Sequence, residues 1–350
     1  MSPEDLLNLA NEKQTNAKII AGSAETHPDE SEKAALLNQS TKLLAEAARL
    51  RKKASVGDGV LSLNPTLPQA EIENARKSQS IRIDQDFFLP LFRSDCVPLP
   101  YIFVRSNLFP GSLTPEPTEP NKLNLLNSWS KEQSISTKGH STQLCSFDRS
   151  VFAACLLHFK NRPLNSQDDD DTVSTTIRRL SENLEISYGS GVADRIKASL
   201  TRLSHTGIIV ENKTTQIELK SLISIENSTC STNEIKLKIP ERLSILYKKN
   251  QWWSVPLSAI IKPGLAGWLG CYYSSHREWQ QVKLEKIRLL SGLSLSGYRF
   301  KVKLEKALIS LQDKTVDEAA RIKSYDFEKS VKDNSDVLLA KTHTMEEPSF

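Results

Sequence analysis

The stretch that most constrains this chain is residues 263–311, where three helix-like segments follow one another with short breaks. The first, at 264–273, opens after a Pro-Gly pair, and the second, at 282–290, repeats apolar residues close to the helical period. A Ser-Gly pair then breaks the chain, and Ser296 is positioned to cap a third helix. Helix, break and helix in this order predict a helix-turn-helix.

The third helix, predicted at 296–311, has two different faces. Arg299, Lys303 and Lys306 fall at i, i+4 and i+7, with Lys301 beside them. A second side carries an apolar stripe with the spacing of a core-facing surface: Phe300, Leu304, Ala307, Leu308 and Leu311. A basic outer face suits a recognition helix in the major groove of DNA. An ordinary solvated helix with a lysine-rich face is the alternative.

Basic charge is concentrated on the same part of the chain. Residues 241–310 hold 12 Lys/Arg against 4 Asp/Glu, a net charge of +8, whereas the whole chain carries +4. Such a patch favours a polyphosphate partner, because each neutralised phosphate releases condensed counterions. An anionic membrane is disfavoured, since no amphipathic anchor accompanies the charge.

The letters Tyr-x-Ser-Ser-His-Arg-Glu at 272–278, with the helices around them, resemble plasmid replication initiator proteins of the TrfA family. In that family the motif ends one helix and precedes a Leu-Lys-Leu-Glu-like helix and a basic recognition helix, here matched by 282–290 and 296–311. A weaker resemblance covers 105–246, so about two thirds of the chain is involved.

The resemblance implies a bacterial, cytoplasmic initiator that binds direct repeats (iterons) in the duplex DNA of a plasmid origin. It also implies origin opening together with the host initiator, recruitment of the replicative helicase, and a homodimer that is inactive or autoregulatory. The family carries a sliding-clamp-binding peptide in the region of Leu89, Leu91 and Phe92, although Phe88 stands here where the peptide has glutamine. Packing of this apolar segment onto the following domain is the alternative.

Three parts of the chain are predicted. Residues 1–80 form a largely disordered or helical tail with one helix at 30–53, rich in Ala, Leu and Lys. A first winged-helix domain, with its partner-docking segment, occupies 81–240, and a second, the main DNA reader, occupies 241–345. Together they predict an α+β chain with two tandem winged-helix domains.

The first domain shows helical patterns at 147–161, 172–184 and 192–204, followed by a strand at 207–210, another at 216–225 and a third at 234–239. Helix, helix, helix and strands are the order of a winged helix. On the third helix Arg195, Ser199 and Arg202 line a side away from the apolar stripe and are predicted to follow a neighbouring groove or the DNA backbone.

In the second domain Arg299 and Lys303 are predicted to read bases, and Lys301 and Lys306 to bind phosphates. Tyr298 and Ser296 are assigned to phosphate or a thymine methyl group. The remaining predicted DNA contacts are His276, Arg277 and Lys283, with a helix-end cap as the alternative for His276. A transcriptional repressor built from the same domains is the main alternative function.

No P-loop, GxGxxG, HExxH or GxSxG motif occurs, so the chain is predicted not to be an enzyme and to use neither cofactor nor metal. A relaxase or nuclease is the alternative of another class, but Tyr272-Tyr273 with the single His276 matches it poorly. Five scattered cysteines without a CxxC pair predict reduced thiols in a cytoplasm. No apolar run of membrane-spanning length occurs.

Overall fold

The computed structural model describes residues 3–25, 30–58, 60–84, 86–119, 123–129, 133–139, 142–164, 172–212, 216–227, 234–276, 280–330 and 333–343. Helices and strands are mixed, as expected of an α+β protein. The helices are α1 Pro3–Glu25, α2 Glu30–Asp58, α3 Gln69–Arg76, α4 Tyr101–Val104, α5 Ser146–Leu157, α6 Ile177–Asn183, α7 Ser190–His205, α8 Leu257–Ile260, α9 Gly264–Ser274, α10 Leu284–Leu290 and α11 Gly297–Ser310.

The strands are β1 Leu61–Leu63, β2 Ile81–Ile83, β3 Asp86–Phe88, β4 Cys96–Pro100, β5 Asn124–Leu126, β6 Gln133–Lys138, β7 Val173–Thr176, β8 Gly207–Asn212, β9 Gln216–Leu219, β10 Ser224–Asn227, β11 Glu234–Lys238, β12 Trp252–Pro256, β13 Gln280–Lys283, β14 Ile322–Lys329 and β15 Asp336–Thr342. A 3₁₀ helix spans Glu241–Leu246. Two clusters of buried apolar side chains form the cores: the first extends from Val60 to Ile260 and adds Cys271, and the second extends from Ala259 to Ala340.

The N-terminal part is a helical hairpin rather than a tail with one helix. Small side chains let α1 and α2 pack closely: Ala10, Ala17 and Ala24 recur every seven residues of α1 and are buried, as are Ser40 and Ala47 of α2. The Ser40 hydroxyl donates to the carbonyl of Ala17 at 3.0 Å. The predicted helix at 30–53 is therefore correct in kind but extends to Asp58, and α1 was missed because its packing face is made of alanine rather than of large apolar residues.

The first core follows the predicted helix order, with an added strand. Residues 172–184 were predicted as one helix but form β7 and then α6, with the Thr176 hydroxyl capping the helix at the amide of Arg179. The predicted strand at 216–225 is two strands in different sheets: β9 lies in the sheet β5-β6-β8-β9, and β10 lies in the sheet β10-β11-β7. Both changes put β-branched residues into strands, where they pack well.

The first core continues past the predicted division at residue 240. Strand β12 pairs antiparallel with β4, which lies about 150 residues earlier, so that Trp253 stands opposite Leu99. Leu243, Tyr247 and Val255 are buried in the first core, and the Tyr247 hydroxyl donates to the carbonyl of Pro98 at 3.0 Å. Residues 241–256 therefore pack with the first core rather than with the second.

The apolar segment predicted to bind a sliding clamp lies inside the fold. Leu89 is fully buried in the first core, Phe92 is 6% exposed, and Leu91 is half-buried. The carbonyl of Leu89 accepts a hydrogen bond from Nε of Arg76 at 3.1 Å. This placement corresponds to the packing alternative, and clamp binding through these side chains would require the segment to leave the core.

The second core is built from α9, α10 and α11 against a three-stranded sheet of order β13-β15-β14. Strand β13, whose Val282 lies opposite Leu338 of β15, precedes α10, so the segment predicted as a helix at 282–290 begins as a strand. The hairpin of β14 and β15 follows α11.

Three polar side chains join the two cores. Arg149 of α5 is buried, and its Nη2 donates to the carbonyls of Ile260 and Lys262 at 3.2 Å each. The Trp268 indole donates to the carbonyl of Ser106 at 3.1 Å, and the Arg105 guanidinium donates to Ser275 at the end of α9. A Cβ atom on Gly267 would lie 2.0 Å from the backbone carbonyl oxygen of Lys262, so only glycine fits there.

Candidate nucleic-acid interface

Helix α11 is anchored by one face and leaves the other open. Phe300, Leu304 and Leu308 are at most 1% exposed, and they fix the helix on the second core. Ser296 is the N-cap residue by backbone conformation, but its side chain makes no capping hydrogen bond. The first amide groups of the helix therefore lack the usual side-chain acceptor, which leaves a site for a negative group at this end.

Three of the four predicted cations of α11 have no ion pair within the described part of the chain. The fourth, Lys301, acts with Lys329 on Asp336 of β15: the hydrogen bond from Lys329 and, more weakly, the charge of Lys301 lower the pKa of this carboxyl group. Arg299 and Lys306 are exposed and Lys303 is half-buried, and none of them has an ion pair among the described residues. Lys301 is also half-buried, with its Nζ 4.9 Å from the centre of the Phe327 ring on β14. The helix thus presents free positive charge to solvent, as a DNA-reading helix must.

The outermost line of α11 is apolar and, apart from Tyr298, is absent from the residues predicted above. Tyr298 is 81% exposed, Val302 is 38% exposed and Ile309 is 54% exposed. They fall at i, i+4 and i+11 and therefore share one side of the helix, opposite the buried stripe. Their helical spacing is visible in the sequence, as is that of the basic residues.

Lys283 is exposed, but its ammonium group already has a partner. It donates to a carboxylate oxygen of Asp333 in the turn between β14 and β15, and this hydrogen bond lowers the pKa of Asp333 well below its usual value. A DNA phosphate would have to displace Asp333 from Lys283. Arg277, another predicted contact, lies outside the described residues.

His276 was predicted to be a phosphate contact or a helix-end cap, and its ring is buried at the end of α9. Only 8% of the residue is exposed, Nδ1 donates to the carbonyl of Tyr272 at 2.8 Å, and the ring packs edge-on against Trp129. Burial, together with the nearby Arg105 cation, lowers the pKa of His276 to about 4. His276 is therefore a neutral helix-end cap between the two cores.

We expect acid to destabilise the protein partly through His276. Its folded-state pKa is about 4, below the usual 6.5, so the unfolded state binds a proton more readily than the folded state. The contribution of His276 to the free energy of unfolding is therefore intact above pH 6.5 and is lost as the pH falls towards 4. The full loss is about 3 kcal/mol. Urea unfolding at a series of pH values measures this effect. Between pH 6.5 and 4 the free energy of unfolding should fall less for His276→Asn than for the parent protein. Parallel curves for the two proteins would contradict the assignment.

Two of the three predicted contacts on α7 are wrong. Ser199 is fully buried. Arg202 is bound to Asp148 of α5, which has no exposed surface; its Nη2 donates to Oδ1 at 2.8 Å and its Nε donates to Oδ2 at 3.1 Å. Neither side chain is available to DNA.

Arg195 is the predicted α7 residue that remains on the surface, with its guanidinium 4.3 Å from the centre of the Phe147 ring. Lys197 and Thr201 are exposed on the same helix and were not predicted. Arg195 and Lys197 are two residues apart and therefore lie on opposite flanks of the outer face of α7, with the exposed Asp194 between them. This face is less basic than that of α11.

In the described residues, the side chains that a relaxase or nuclease would use are either not clustered or buried. No group of three or more His, Cys, Asp and Glu side chains is placed there to hold a metal ion. Tyr272 and Tyr273 are at most 2% exposed, and burial raises the pKa of both phenols, so neither can reach a phosphodiester as a nucleophile. Four of the five cysteines lie in this part, and all four are buried free thiols.

Comparisons with known proteins give a limited result. None of the described helices is long and apolar enough to cross a membrane. No family model matches the chain, and no curated protein matches it. Two crystal structures of domains 2 and 3 of RctB are similar: one at 12% identity and a TM-score of 0.46, covering 69% of this chain and 97% of the other, and one at 14% and 0.45, covering 67% and 95%. With both TM-scores below 0.5, this likeness assigns neither a family nor a function.

Proposed function

We propose that the chain is a sequence-specific DNA-binding protein that initiates replication at directly repeated origin sites, with α11 as its principal reader. The observation that carries this proposal is the open face of α11, where Arg299 and Lys306 are exposed and unpaired among the described residues while the opposite face is fixed in the second core. Arginine is the commonest specific reader of guanine in the major groove.

The arrangement around α11 supports a winged helix. Helix α9, strand β13, helices α10 and α11, and the hairpin of β14 and β15 follow one another in the order of that fold, and β13 closes the sheet by pairing with β15. The first core repeats the order with α5, β7, α6, α7 and β8–β9, although β7 there pairs with β11 instead of the hairpin. Two such units in tandem would let one chain cover a long non-palindromic repeat.

The finer parts of the proposal come from the sequence resemblance to TrfA-family initiators. They are a plasmid origin with iterons, action in a bacterial cytoplasm, cooperation with the host initiator and the replicative helicase, and a homodimer with a regulatory role. Clamp binding by Leu89, Leu91 and Phe92 belongs to the same set and requires these largely buried side chains to become exposed. No cofactor, metal or catalytic step is part of the proposed activity.

The proposal is tested by selecting binding sites from random duplex DNA with the full chain. We expect enrichment of one motif, and a search for that motif in the DNA flanking the coding region should find direct repeats about 17–22 bp apart, roughly two helical turns. Absence of any enriched motif would refute sequence-specific binding.

Melting of the flanking DNA separates an initiator from a transcriptional repressor. Permanganate reactivity of thymines in an AT-rich stretch beside the repeats should rise when the protein and the host initiator are added. Tight binding without increased reactivity would assign the repressor function. Specific nicking of supercoiled plasmid in the presence of Mg²⁺ would assign a relaxase or nuclease.

Replacing Gly297 offers a test that separates binding from folding. A Cβ atom at this first position of α11 would meet no heavy atom within 4 Å, and the backbone is not left-handed, so the fold does not require glycine there. We expect Gly297→Ala to leave the free energy of unfolding unchanged or to raise it by up to about 1 kcal/mol. Affinity for the selected DNA should fall severalfold, because the methyl group lies where a phosphate approaches the helix amides.

Gly22 supplies the matched control, since it also lies in a helix with open space at its Cβ position. Gly22→Ala should leave DNA affinity unchanged. Equal affinity for the Gly297→Ala and parent proteins would show that the DNA backbone does not approach the start of α11.

A further inference from the structure

The centre of the open face of α11 is not its cations but a small apolar area. Val302 lies one turn after Tyr298, and on the helix surface it is bordered by Arg299 at i−3 and by Glu305 and Lys306 at i+3 and i+4. An exposed valine among charged side chains does nothing for the core, since the helix is already anchored by the opposite face. Its position points to a contact outside the chain.

The groove that accepts such a helix offers one apolar group. Among the base edges of the major groove, only thymine presents a methyl group, at C5, and apolar side chains contact it. Val302 lies about 7 Å along the axis from the start of the helix, and a recognition helix uses its N-terminal residues on base edges. Ile309, roughly 10 Å further along, lies beyond that zone.

We propose that Val302, with the ring of Tyr298, reads the C5 methyl group of thymine, so that the DNA site carries an A·T pair at the step next to the base contacted by Arg299. This inference rests on the proposed function, because it requires α11 to lie in a major groove. It adds the chemical identity of the base that the helix selects. Val302 is a specificity-determining residue, and the thymine methyl group is its ligand.

Uracil interference tests the inference directly. Duplexes carrying the selected motif, with deoxyuridine replacing thymidine at random, are separated into bound and free fractions and cleaved at uracil. With the parent protein we expect uracil to be depleted from the bound fraction at one or two positions by roughly threefold to fivefold, the effect of one buried carbon group on an equilibrium. With Val302→Ala this depletion should disappear at one of those positions.

Ile309→Ala is the matched control, because it also removes an exposed apolar side chain from the same side of the same helix. It should retain the full interference pattern. Both variants should fold, since alanine is the best helix former and both positions are exposed.

The outcomes are distinguishable. Specific binding without uracil interference, or with interference that Val302→Ala does not change, would overturn the inference while leaving the proposed function standing; the apolar line would then face a protein partner or solvent. Failure to select any motif would instead refute the proposed function. Interference that is lost with Val302→Ala and kept with Ile309→Ala would support the inference.

Discussion

The Arg299→Ala, Lys303→Ala double variant should lose specific binding to the selected DNA while keeping its fold. One bidentate arginine–guanine contact contributes about 1–3 kcal/mol of discrimination, and the lysine adds a salt-dependent phosphate or base contact. We therefore expect the affinity for the selected site to fall roughly 30- to 1,000-fold. The free energy of unfolding should change by no more than about 0.5 kcal/mol per site, because neither side chain has an ion pair among the described residues.

A charge-matched control separates reading from general attraction. Arg242 and Lys249 are exposed on the segment that packs with the first core, and replacing both by alanine removes the same net charge away from α11. This variant should lose only a small, salt-dependent part of its binding to all DNA. The measurement is a titration of selected and random duplexes at two salt concentrations. A double variant at 299 and 303 that still prefers the selected duplex by the parental factor would remove these residues from the reading role.

The second large effect is expected from the buried ion pair between Arg202 and Asp148, and it concerns folding rather than binding. Arg202→Ala leaves the fully buried Asp148 carboxylate without its partner, which should lower the free energy of unfolding by about 3–5 kcal/mol. Asp148 also accepts the amide of Cys145 at 2.8 Å and so fixes the start of α5, which adds to the loss when the carboxylate shifts.

Two comparison variants sharpen this test. Asp148→Asn combined with Arg202→Met keeps an acceptor for the Cys145 amide and removes both charges, so it should recover part of the lost stability. Arg195→Ala, on the exposed side of the same helix, should cost less than about 1 kcal/mol. Urea unfolding gives the stabilities, and gel shifts below the unfolding transition give the affinities. A stable Arg202→Ala protein with strongly reduced DNA affinity would restore Arg202 as a DNA contact.

The sequence predicted α11 well because everything that defines the helix lies within it. The apolar stripe from Phe300 to Leu311 is buried, and the helix spans Gly297–Ser310 against the predicted 296–311. The separation of its basic and apolar faces follows from helical periodicity alone.

The short strands β7 and β13, one in each winged-helix unit, could not be predicted from the sequence. Val173 and Val282 both fit the apolar period of the helix that follows, so the short strands β7 and β13 were predicted as the first turns of α6 and α10. Their strand character comes from partners far along the chain: β7 pairs with β11, and β13 with β15. Periodicity cannot distinguish a four-residue strand from a helical turn without those partners.

The roles of Arg202 and His276 could not be predicted from spacing, because tertiary contacts decide them. Arg202 shares a polar side of α7 with Arg195, but Asp148, 54 residues earlier, takes it out of solvent. His276 lies in a polar motif, yet Trp129 and Arg105 cover it. The position of a residue in a helix determines the direction of its side chain, but the packing of neighbouring elements determines whether that side chain is exposed to solvent.

The guanidinium of Arg149 lies at the border between the two cores. It donates to the carbonyl of Ile260, whose side chain belongs to the first core, and to the carbonyl of Lys262, which lies two residues before α9 of the second core. Truncation after residue 260 would remove one of these two acceptors. Chimaeras that join this first core to the second core of a related protein should therefore keep 260–267 from the same parent as position 149.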